Sequence, residues 1–215
     1  MQGLVTDVCL KRKVRDYVAA QKAGQAGYNT YVEHRGVLYD QQEKAYKALE
    51  IADSKDASRA REARDWMCQN FFDIRAFGAV MSTTEFNCGQ VRGPVQLTFA
   101  RSIDPVIPLD LSITRVAVTR TGEDKETEMG RKALLPYGLY RGFGFYNPAL
   151  ASGKNGTGFT DEDLAVFWEA LQRMWDLDRS AARGLMACRG LYVFTHASAL
   201  GDAPAHKLFD LVQVE

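Results

Sequence analysis

Basic side chains concentrate on the first predicted helix, which we expect to run from about Thr6 to Lys22. Thr6 is a suitable N-cap residue for this helix. Lys11 and Arg15 are four residues apart, so they lie side by side on one flank, with Arg12 nearby. Such a flank suits contacts with the phosphate oxygens of a nucleic acid, and it is also what an ordinary solvated basic face looks like.

The segment from Phe77 to Gly93 is rich in glycine and in short polar side chains, which favours a loop over a helix. Glycine lets a backbone approach a phosphate closely, and amide and guanidinium groups donate hydrogen bonds to phosphate oxygens. The same composition also suits a structural connection between a helix and a strand. The side chains that could act here are those of Asn87 and Gln90 and of the bracketing Arg75, Arg92 and Arg101.

The string Arg-Gly-Phe-Gly-Phe at 141–145 matches the opening of the RNP1 pattern, which RNA-recognition motifs use to stack bases. Strand alternation would place Phe143 and Phe145 on one face. The Tyr-Asn-Pro that follows at 146–148 departs from the pattern, and no matching RNP2 strand stands upstream. We therefore favour a position in the core of a strand over base stacking.

Residues suited to catalysis or metal binding form no recognisable constellation in the sequence. The three histidines lie on unrelated segments, and the motifs of serine hydrolases, zinc proteases and P-loop enzymes do not occur. The acids at 161–163 are better explained by the first turn of a helix than as metal ligands. We expect no enzyme activity, no catalytic residue, no metal site and no cofactor. Free thiols are expected at Cys9, Cys68, Cys88 and Cys188.

Length and charge narrow the class of protein further. The chain has 215 residues, 46% hydrophobic and 25% charged, as in one ordinary folded domain spanning 1–215. Lys plus Arg and Asp plus Glu are both 27, which excludes a globally basic nucleic-acid coat but leaves room for a local basic face. No apolar run is long enough for a membrane span and no signal peptide is visible, so we expect a cytoplasmic protein without a membrane partner.

The elements that must position these residues follow an α+β order that suits a ferredoxin-like layout. A helical insertion is expected over about 36–74, and Thr160 begins a further helix with capping-box spacing to Asp163. An excursion from about Thr114 to Pro136, with a polar tip over 121–128, predicts a β-ribbon that reaches out. The other predicted elements are helices near 41–52 and 58–73 and β-like segments at 191–195 and 208–214.

Several stretches are specific in combination and cover most of the chain: residues 3–15, 73–81, 87–96, 112–115, 129–132, 178–186 and 203–212. Among them are Leu-Lys-Arg-Lys-Val-Arg at 10–15, Asp-Ile-Arg-Ala-Phe-Gly at 73–78 and Asn-Cys-Gly-Gln-Val-Arg-Gly-Pro at 87–94. With these stretches, the chain resembles the repeated backbone subunit of type I CRISPR surveillance complexes, the seventh CRISPR-associated protein family. It is most similar to the type I-C branch of that family.

The resemblance implies a modified RRM-like palm, a helical finger region and a β-ribbon thumb over about 114–135. It implies a non-catalytic subunit that binds a CRISPR RNA and oligomerises along it for antiviral defence. The implied partners are further copies of the chain, other subunits of the Cascade complex and the target DNA strand through the guide.

The resemblance also implies which residues contact the guide. Carried over by position, and with Arg75 added because it flanks the loop, the expected RNA-binding residues are Thr6, Lys11, Arg12, Arg15, Arg75, Gln90, Arg92, Arg115, Arg131 and Lys132. Family members normally begin with a β-strand before the first helix. This chain begins almost at the helix, so we expect that strand to be missing.

Two other functions compete with the filament subunit. One is a monomeric RNA-binding protein of RRM type, which would need an intact base-stacking strand. The other is a ribonuclease of the same fold, which would need a general base beside the RNA.

Overall fold

The computed structural model describes residues 1–51, 58–117 and 128–214, and they form a mixed α and β structure, as the sequence predicts. The helices are α1 (Asp7–Gln21), α2 (Leu38–Ala48), α3 (Ala60–Asn70), α4 (Phe72–Phe77), α5 (Pro148–Ala151), α6 (Asp161–Arg173) and α7 (Ala205–Phe209). The strands are β1 (Gln2–Val5), β2 (Gly78–Val80), β3 (Gln90–Arg92), β4 (Val95–Leu97), β5 (Ala100–Pro105), β6 (Leu109–Arg115), β7 (Glu128–Leu134), β8 (Tyr140–Arg141) and β9 (Gly144–Tyr146).

The two best-capped helices begin where the sequence predicts. The Thr6 hydroxyl accepts a hydrogen bond from the Cys9 backbone amide at 3.3 Å, which closes the start of α1. Thr160 and Asp163 form a reciprocal capping box at the start of α6. Each cap satisfies backbone amides that have no partner within the helix, so these starts are set by local sequence.

The helix predicted over 58–73 is interrupted at Phe71. The backbone of Phe71 is extended and pairs with Asn29 in a parallel bridge, and the Phe72 amide donates to the Asn29 carbonyl at 3.0 Å. A long-range backbone contact therefore divides one apolar stripe into two helices, α3 and α4.

The expectation that no strand precedes the first helix is wrong. Strand β1 lies antiparallel to β5, with Leu4 opposite Arg101 and Val5 opposite Ala100. The Gly3 amide donates to the Ser102 hydroxyl at 2.9 Å. The strand has four residues, and its partner is about a hundred residues away in sequence, so no local pattern could reveal it.

The segment formed by β4 and β5 runs antiparallel to the segment formed by β8 and β9, and the pairing contains a β-bulge. Leu97 pairs with Gly144 in the β4–β9 sheet, and Arg101 pairs with Arg141 in the β1–β5–β8 sheet. Four steps along one strand therefore match three along the other, as a β-bulge requires. At the bulge the Thr98 amide donates to the Phe143 carbonyl at 2.8 Å, which links the two sheets.

The predicted excursion is a two-stranded ribbon formed by β6 and β7. Its register runs from Leu109 opposite Leu134 to Arg115 opposite Glu128. The ribbon therefore begins about five residues before the predicted start at Thr114, and nearly all of the predicted tip lies outside the described residues. Every residue of β6 is exposed.

Two apolar cores meet at α4, in which all six residues are buried. Phe72, Ala76 and Phe77 join a core that α1 and α6 line with Val14, Val18 and Phe167. Ile74, with Phe71 just before the helix, joins a second core that α2 and α3 line with Tyr46 and Met67. One short helix thus holds the two halves of the described fold together.

The β-like segments predicted near the end of the chain are wrong. Residues 191–195 form no strand, and the segment predicted over 208–214 overlaps the end of α7. Phe209 of α7 stacks on Phe143 with ring centroids 4.5 Å apart. β-propensity reflects how a side chain fits a paired, half-buried strand, and these segments have no strand to pair with in the described structure.

Candidate nucleic-acid interface

The basic flank of α1 is built as its spacing predicts. Lys11 Nζ lies 5.6 Å and the Arg15 guanidinium 5.5 Å from the centre of the Phe77 ring, so both cations lie against one aromatic side chain. Lys11 Nζ also donates to Asp7 Oδ2 at 2.8 Å. That hydrogen bond lowers the pKa of Asp7 below its ordinary value and partly neutralises the Lys11 charge.

Arg12 fastens α1 to the segment that follows it. One of its terminal nitrogens donates to the Val32 carbonyl at 2.7 Å, and another lies 3.5 Å from Asp16. Its side chain remains about one-third exposed, so it lies at the surface beside the flank.

Arg15 is tied to a buried carboxylate. Its Nε donates to Asp73 Oδ2 at 2.7 Å, and Asp73 is only 2% exposed. Asp73 also accepts hydrogen bonds from the Tyr31 and Val32 amides at 2.8 and 3.1 Å. Arg15 therefore links α1 to α4, which makes it a positioning residue for the flank.

Arg75 does not lie on an RNA-accessible surface, because the structure buries it and uses its donors internally. Its Nε and one terminal nitrogen bind the two oxygens of Asp163, each at 2.7 Å. The other terminal nitrogen donates to the carbonyls of Cys68 and Gly27 at 2.8 and 3.1 Å. A bidentate guanidinium–carboxylate pair of this kind is strong when its other donors are also satisfied. We therefore remove Arg75 from the predicted RNA-binding set.

The glycines of the 77–93 segment serve chain packing more than ligand access. Gly78 has φ of +81°, and a Cβ there would lie 2.3 Å from the Val91 carbonyl oxygen. A Cβ on Gly93 would lie 2.3 Å from the Phe77 carbonyl carbon. The two glycines let the chain after α4 approach the end of β3 closely, where β2 and β3 pair.

Strand β3 exposes the two predicted side chains of this segment. Gln90 and Arg92 are exposed, and Val91 between them is buried. Arg92 pairs with Gly78 in the β2–β3 sheet. Gly78 directly follows Phe77, and Lys11 and Arg15 lie against the Phe77 ring. The backbone of Arg92 is thus paired with the residue next to Phe77, against which the α1 flank lies. We call this set, formed by Lys11, Arg12, Gln90 and Arg92, the α1–β3 surface.

The polar side chains between β2 and β3 fasten that loop to α2. Tyr46 Oη donates to the Asn87 carbonyl at 2.8 Å, and Tyr39 Oη donates to Glu85. The Thr84 hydroxyl hydrogen-bonds the Gln42 amide oxygen. These contacts hold β3 in place and account for much of the polar composition noted in the sequence.

The predicted ribbon residues lie on a separate sheet from the α1–β3 surface. Arg115 pairs with Glu128 at 2.6 Å, and Arg131 lies 4.0 Å from Asp110. Arg131 and Lys132 are consecutive strand residues, so they point to opposite faces of the ribbon. Lys132 lies opposite Leu111, on the face that also carries Leu109 and Ile113.

Residues of catalytic type are dispersed in the described structure. Within residues 1–51, 58–117 and 128–214, no group of three or more His, Cys, Asp or Glu side chains is placed to hold a metal ion. His196 is engaged locally, where its Nδ1 accepts a hydrogen bond from the Asp202 amide at 2.9 Å. Burial raises the pKa of Cys68 to about 11 and that of Cys88 to about 12, so these thiols are protonated at neutral pH. None of the described helices is both long and apolar enough to cross a membrane.

Sequence reasoning missed the arginine partners of two buried carboxylates, Asp73 and Asp163, of which Asp163 was predicted only as part of a capping box. Asp73 accepts hydrogen bonds from Arg15 and two backbone amides, and Asp163 accepts them from Arg75 and the Thr160 amide. A signal for Asp73 was available, because it stands with Arg75 inside an apolar run, Phe71–Phe77. Charges in such a run are expected to be paired when they are buried.

Known proteins resemble this chain at two levels. A family model described as "CRISPR-associated protein Cas7" matches residues 1–215. A solved chain from a "CRISPR RNA-guided surveillance complex, pre-nicking" is similar in fold, with a TM-score of 0.51 and 15% sequence identity. That match covers 85% of this chain and 66% of the solved chain, so this chain spans just under two-thirds of its length. No curated protein matches the sequence.

The solved chain is too distant in sequence to carry more than the fold. The family model establishes that the chain is a member of the family, because the match extends over all residues of the sequence. The chain belongs to the CRISPR-associated protein Cas7 family.

Proposed function

We propose that the chain is a non-catalytic backbone subunit that binds a CRISPR RNA and lines up with further copies of itself along that guide. The observation that carries the proposal is the family match over residues 1–215. The solved complex of similar fold is an RNA-guided surveillance complex, and RNA-guided surveillance is the activity proposed here. The proposed partners include other subunits of the complex and the target DNA strand that pairs with the guide.

The proposal extends to an RRM-like palm and to the type I-C branch of the family. The palm is supported by β1 leading into α1, by the antiparallel pairing of β5 with β1 and β8, and by the shared core of α1 and α6. In this interpretation the segment with α2 and α3 is the finger region and the β6–β7 ribbon is the thumb. A cytoplasmic location without a membrane partner completes the proposal.

The α1–β3 surface is the proposed contact with the guide backbone. Its lysine and arginines can neutralise phosphates, and the Gln90 amide can donate a hydrogen bond. Thr6 supports this surface by capping α1, and Arg15 supports it through Asp73. The ribbon residues Arg115, Arg131 and Lys132 form a second proposed contact, which the copies would share along the RNA.

The assembly is tested by measuring the mass of complexes formed with guide RNAs of increasing length. A backbone subunit adds copies in proportion to the length of the RNA, and the RNA stays intact in the presence of Mg²⁺. One copy per RNA at every length would instead establish the stand-alone RNA-binding protein. Specific cleavage products that disappear in His196→Ala or His206→Ala would establish the ribonuclease.

The surface is tested by comparing two lysines that each form an ion pair within a helix; the Lys11 side chain is 14% exposed and the Lys47 side chain is 70% exposed. Lys11 and Lys47 each pair with an acid four residues earlier on a helix, Asp7 and Glu43 respectively. Lys11→Ala should lower the salt dependence of guide binding by about 0.7 in the slope of log K against log salt. Lys47→Ala on α2 should leave the slope unchanged. Equal effects of the two variants would remove Lys11 from the interface.

A further inference from the structure

A cleft on the exposed face of the β1–β5–β8 sheet contains none of the residues of the α1–β3 surface or of the ribbon. We propose that this cleft is a second nucleic-acid site, which holds one unpaired nucleotide. Its phosphate lies between Arg101 and Arg141, and its base lies against Phe99. The inference rests on the proposed function for the source of the nucleotide, which is the guide RNA or a DNA strand close to it.

The cleft has a suitable size and lining. Its volume is about 620 Å³, within the range of roughly 300–1,000 Å³ that small-ligand sites occupy. Arg101 and Ile103 contribute from β5, where alternate residues share a face, and Arg141 contributes from β8. Phe99, just before β5, and Phe143, just after β8, complete the lining. The lining includes no acidic residue.

Two like charges stand directly opposite each other in this cleft. Arg101 and Arg141 are register partners in the β5–β8 pair. Like charges in this position destabilise a sheet, and on its other side Arg101 faces the apolar Leu4. A bound anion would convert this repulsion into two attractive contacts.

The two guanidinium groups are only lightly engaged. One Arg101 nitrogen lies 3.4 Å from the Gln2 side-chain oxygen, and one Arg141 nitrogen lies 3.3 Å from the Val212 carbonyl. Within the described part of the chain neither arginine forms an ion pair. This differs from Arg75 and Arg15, which are held by buried carboxylates at 2.7 Å.

The two aromatic residues of the cleft differ in exposure: Phe143 forms a covered wall, and Phe99 offers an open surface for stacking. Phe143 is covered by Phe209 at 4.5 Å and lies 5.7 Å from the Arg141 guanidinium, so it forms the wall. Phe99 is 50% exposed, lies just before β5 and lines the same cleft as Arg101. An exposed aromatic ring beside a pair of arginines is the combination that binds an unpaired nucleotide, with the base stacked and the phosphate neutralised.

Charge reversal at Arg141 distinguishes an effect on nucleotide binding from an effect on the stability of the fold. Arg141→Glu places a carboxylate opposite Arg101, so the melting temperature should rise or stay the same. The same variant should weaken binding of a fluorescein-labelled oligouridylate. Arg173→Glu is the control, because it makes the same charge change on an exposed part of α6 beside Glu169. It should lower the melting temperature slightly and leave binding unchanged.

The stacking platform is tested with Phe99→Ala and with photocrosslinking. Removing one base stack should weaken binding at least about fivefold, the lower end of the measured range for such contacts. An oligouridylate carrying one 4-thiouridine should crosslink to the peptide that contains Phe99. The matching oligodeoxynucleotide identifies the source: tighter binding of RNA indicates the guide, and equal or tighter binding of DNA indicates the target strand.

The outcomes separate this inference from the proposed function. If RNA binds the wild-type chain but Arg141→Glu and Phe99→Ala bind as well as wild type, the cleft is not a nucleotide site and the α1–β3 surface carries the binding. Crosslinks confined to α1, β3 or the ribbon would likewise exclude the cleft. If the wild-type chain binds no RNA, the proposed function fails and the cleft inference fails with it.

Discussion

Helix α4 and the β6–β7 ribbon distribute charge and apolar surface in opposite ways. In α4 every residue is buried, including Asp73 at 2% and Arg75 at 7% exposure. In β6 every residue is exposed, including Leu111 at 43% and Ile113 at 52%. Residue type therefore does not decide burial in this protein; the available partners do.

The difference has an energetic consequence. Each charge in α4 has an oppositely charged partner on another helix, Arg15 for Asp73 and Asp163 for Arg75, so α4 ties α1 to α6. The ribbon ion pair, Arg115 with Glu128, is about half exposed on both sides. Removing one partner of a buried pair costs about 3–5 kcal/mol, whereas an exposed pair contributes about 0–1 kcal/mol.

The largest effect is expected when the buried pair of α4 is broken. Asp163→Ala leaves Arg75 without its carboxylate and removes half of the capping box, so it should cost about 4 kcal/mol of unfolding free energy. Urea denaturation monitored by tryptophan fluorescence measures this cost. Asp161→Ala, an exposed acid in the same first turn, is the control and should cost about 0.5 kcal/mol. Similar values for the two variants would contradict the role given to the Arg75–Asp163 pair.

A matched pair of isoleucines compares the two regions directly. Ile74 in α4 is 1% exposed, so Ile74→Ala should cost about 3 kcal/mol through lost burial and a cavity. Ile113 in β6 is 52% exposed, so Ile113→Ala should cost less than about 1 kcal/mol. Both are read from the same denaturation curves. A cost at Ile113 that equals the cost at Ile74 would mean that the ribbon face is packed in the isolated protein.

Two glycines with positive φ allow the cost of a steric clash to be measured apart from the cost of the backbone conformation. Gly78→Ala, after α4, meets both a positive φ and a backbone oxygen 2.3 Å from the new Cβ, so it should cost at least about 2 kcal/mol. Gly89→Ala has a similar φ of +69° but open space around the new Cβ, so it should cost about 1 kcal/mol. Thermal unfolding of the two variants side by side gives the difference. An equal loss at both positions would mean that the close backbone approach at Gly78, where β2 pairs with β3, adds no cost.

The smallest effect is expected at the ribbon ion pair. Glu128→Gln removes the charge opposite Arg115 and should cost about 0.5 kcal/mol or less. Moderate salt should abolish the difference between variant and wild type, because exposed pairs are screened. A larger or salt-independent cost would show that the pair is desolvated, and it would weaken the contrast with α4.

Elements with strong local signals were predicted well from the sequence. Thr6 and Thr160 cap their helices as expected, and the cation spacing on α1 places Lys11 and Arg15 together over Phe77. The ribbon was anticipated from the length of the excursion and its polar tip, although it begins at Leu109. These features depend on contacts within a few residues, which a sequence pattern records.

Elements whose partners are distant in sequence were not predicted. Strand β1 depends on β5, the break at Phe71 depends on Asn29, and the absence of a strand at 191–195 reflects the lack of a neighbour to pair with in the described structure. The same limit applies to the site, because Arg75 has the side chain of a phosphate contact and the environment of a structural crosslink.

The sequence by itself determined the family, the α+β class, the helix starts and the basic flank of α1, because each of these is recorded in residue type and short-range spacing. Only the tertiary structure decided which charges are free to meet a ligand. Asp73 and Asp163 engage Arg15 and Arg75 in the interior, while Arg101 and Arg141 lie opposite each other on the neighbouring strands β5 and β8. The reason is physical: an arginine binds whichever anion lies within reach in the fold, and that anion lies 58 residues away along the chain for Arg15 and 88 for Arg75.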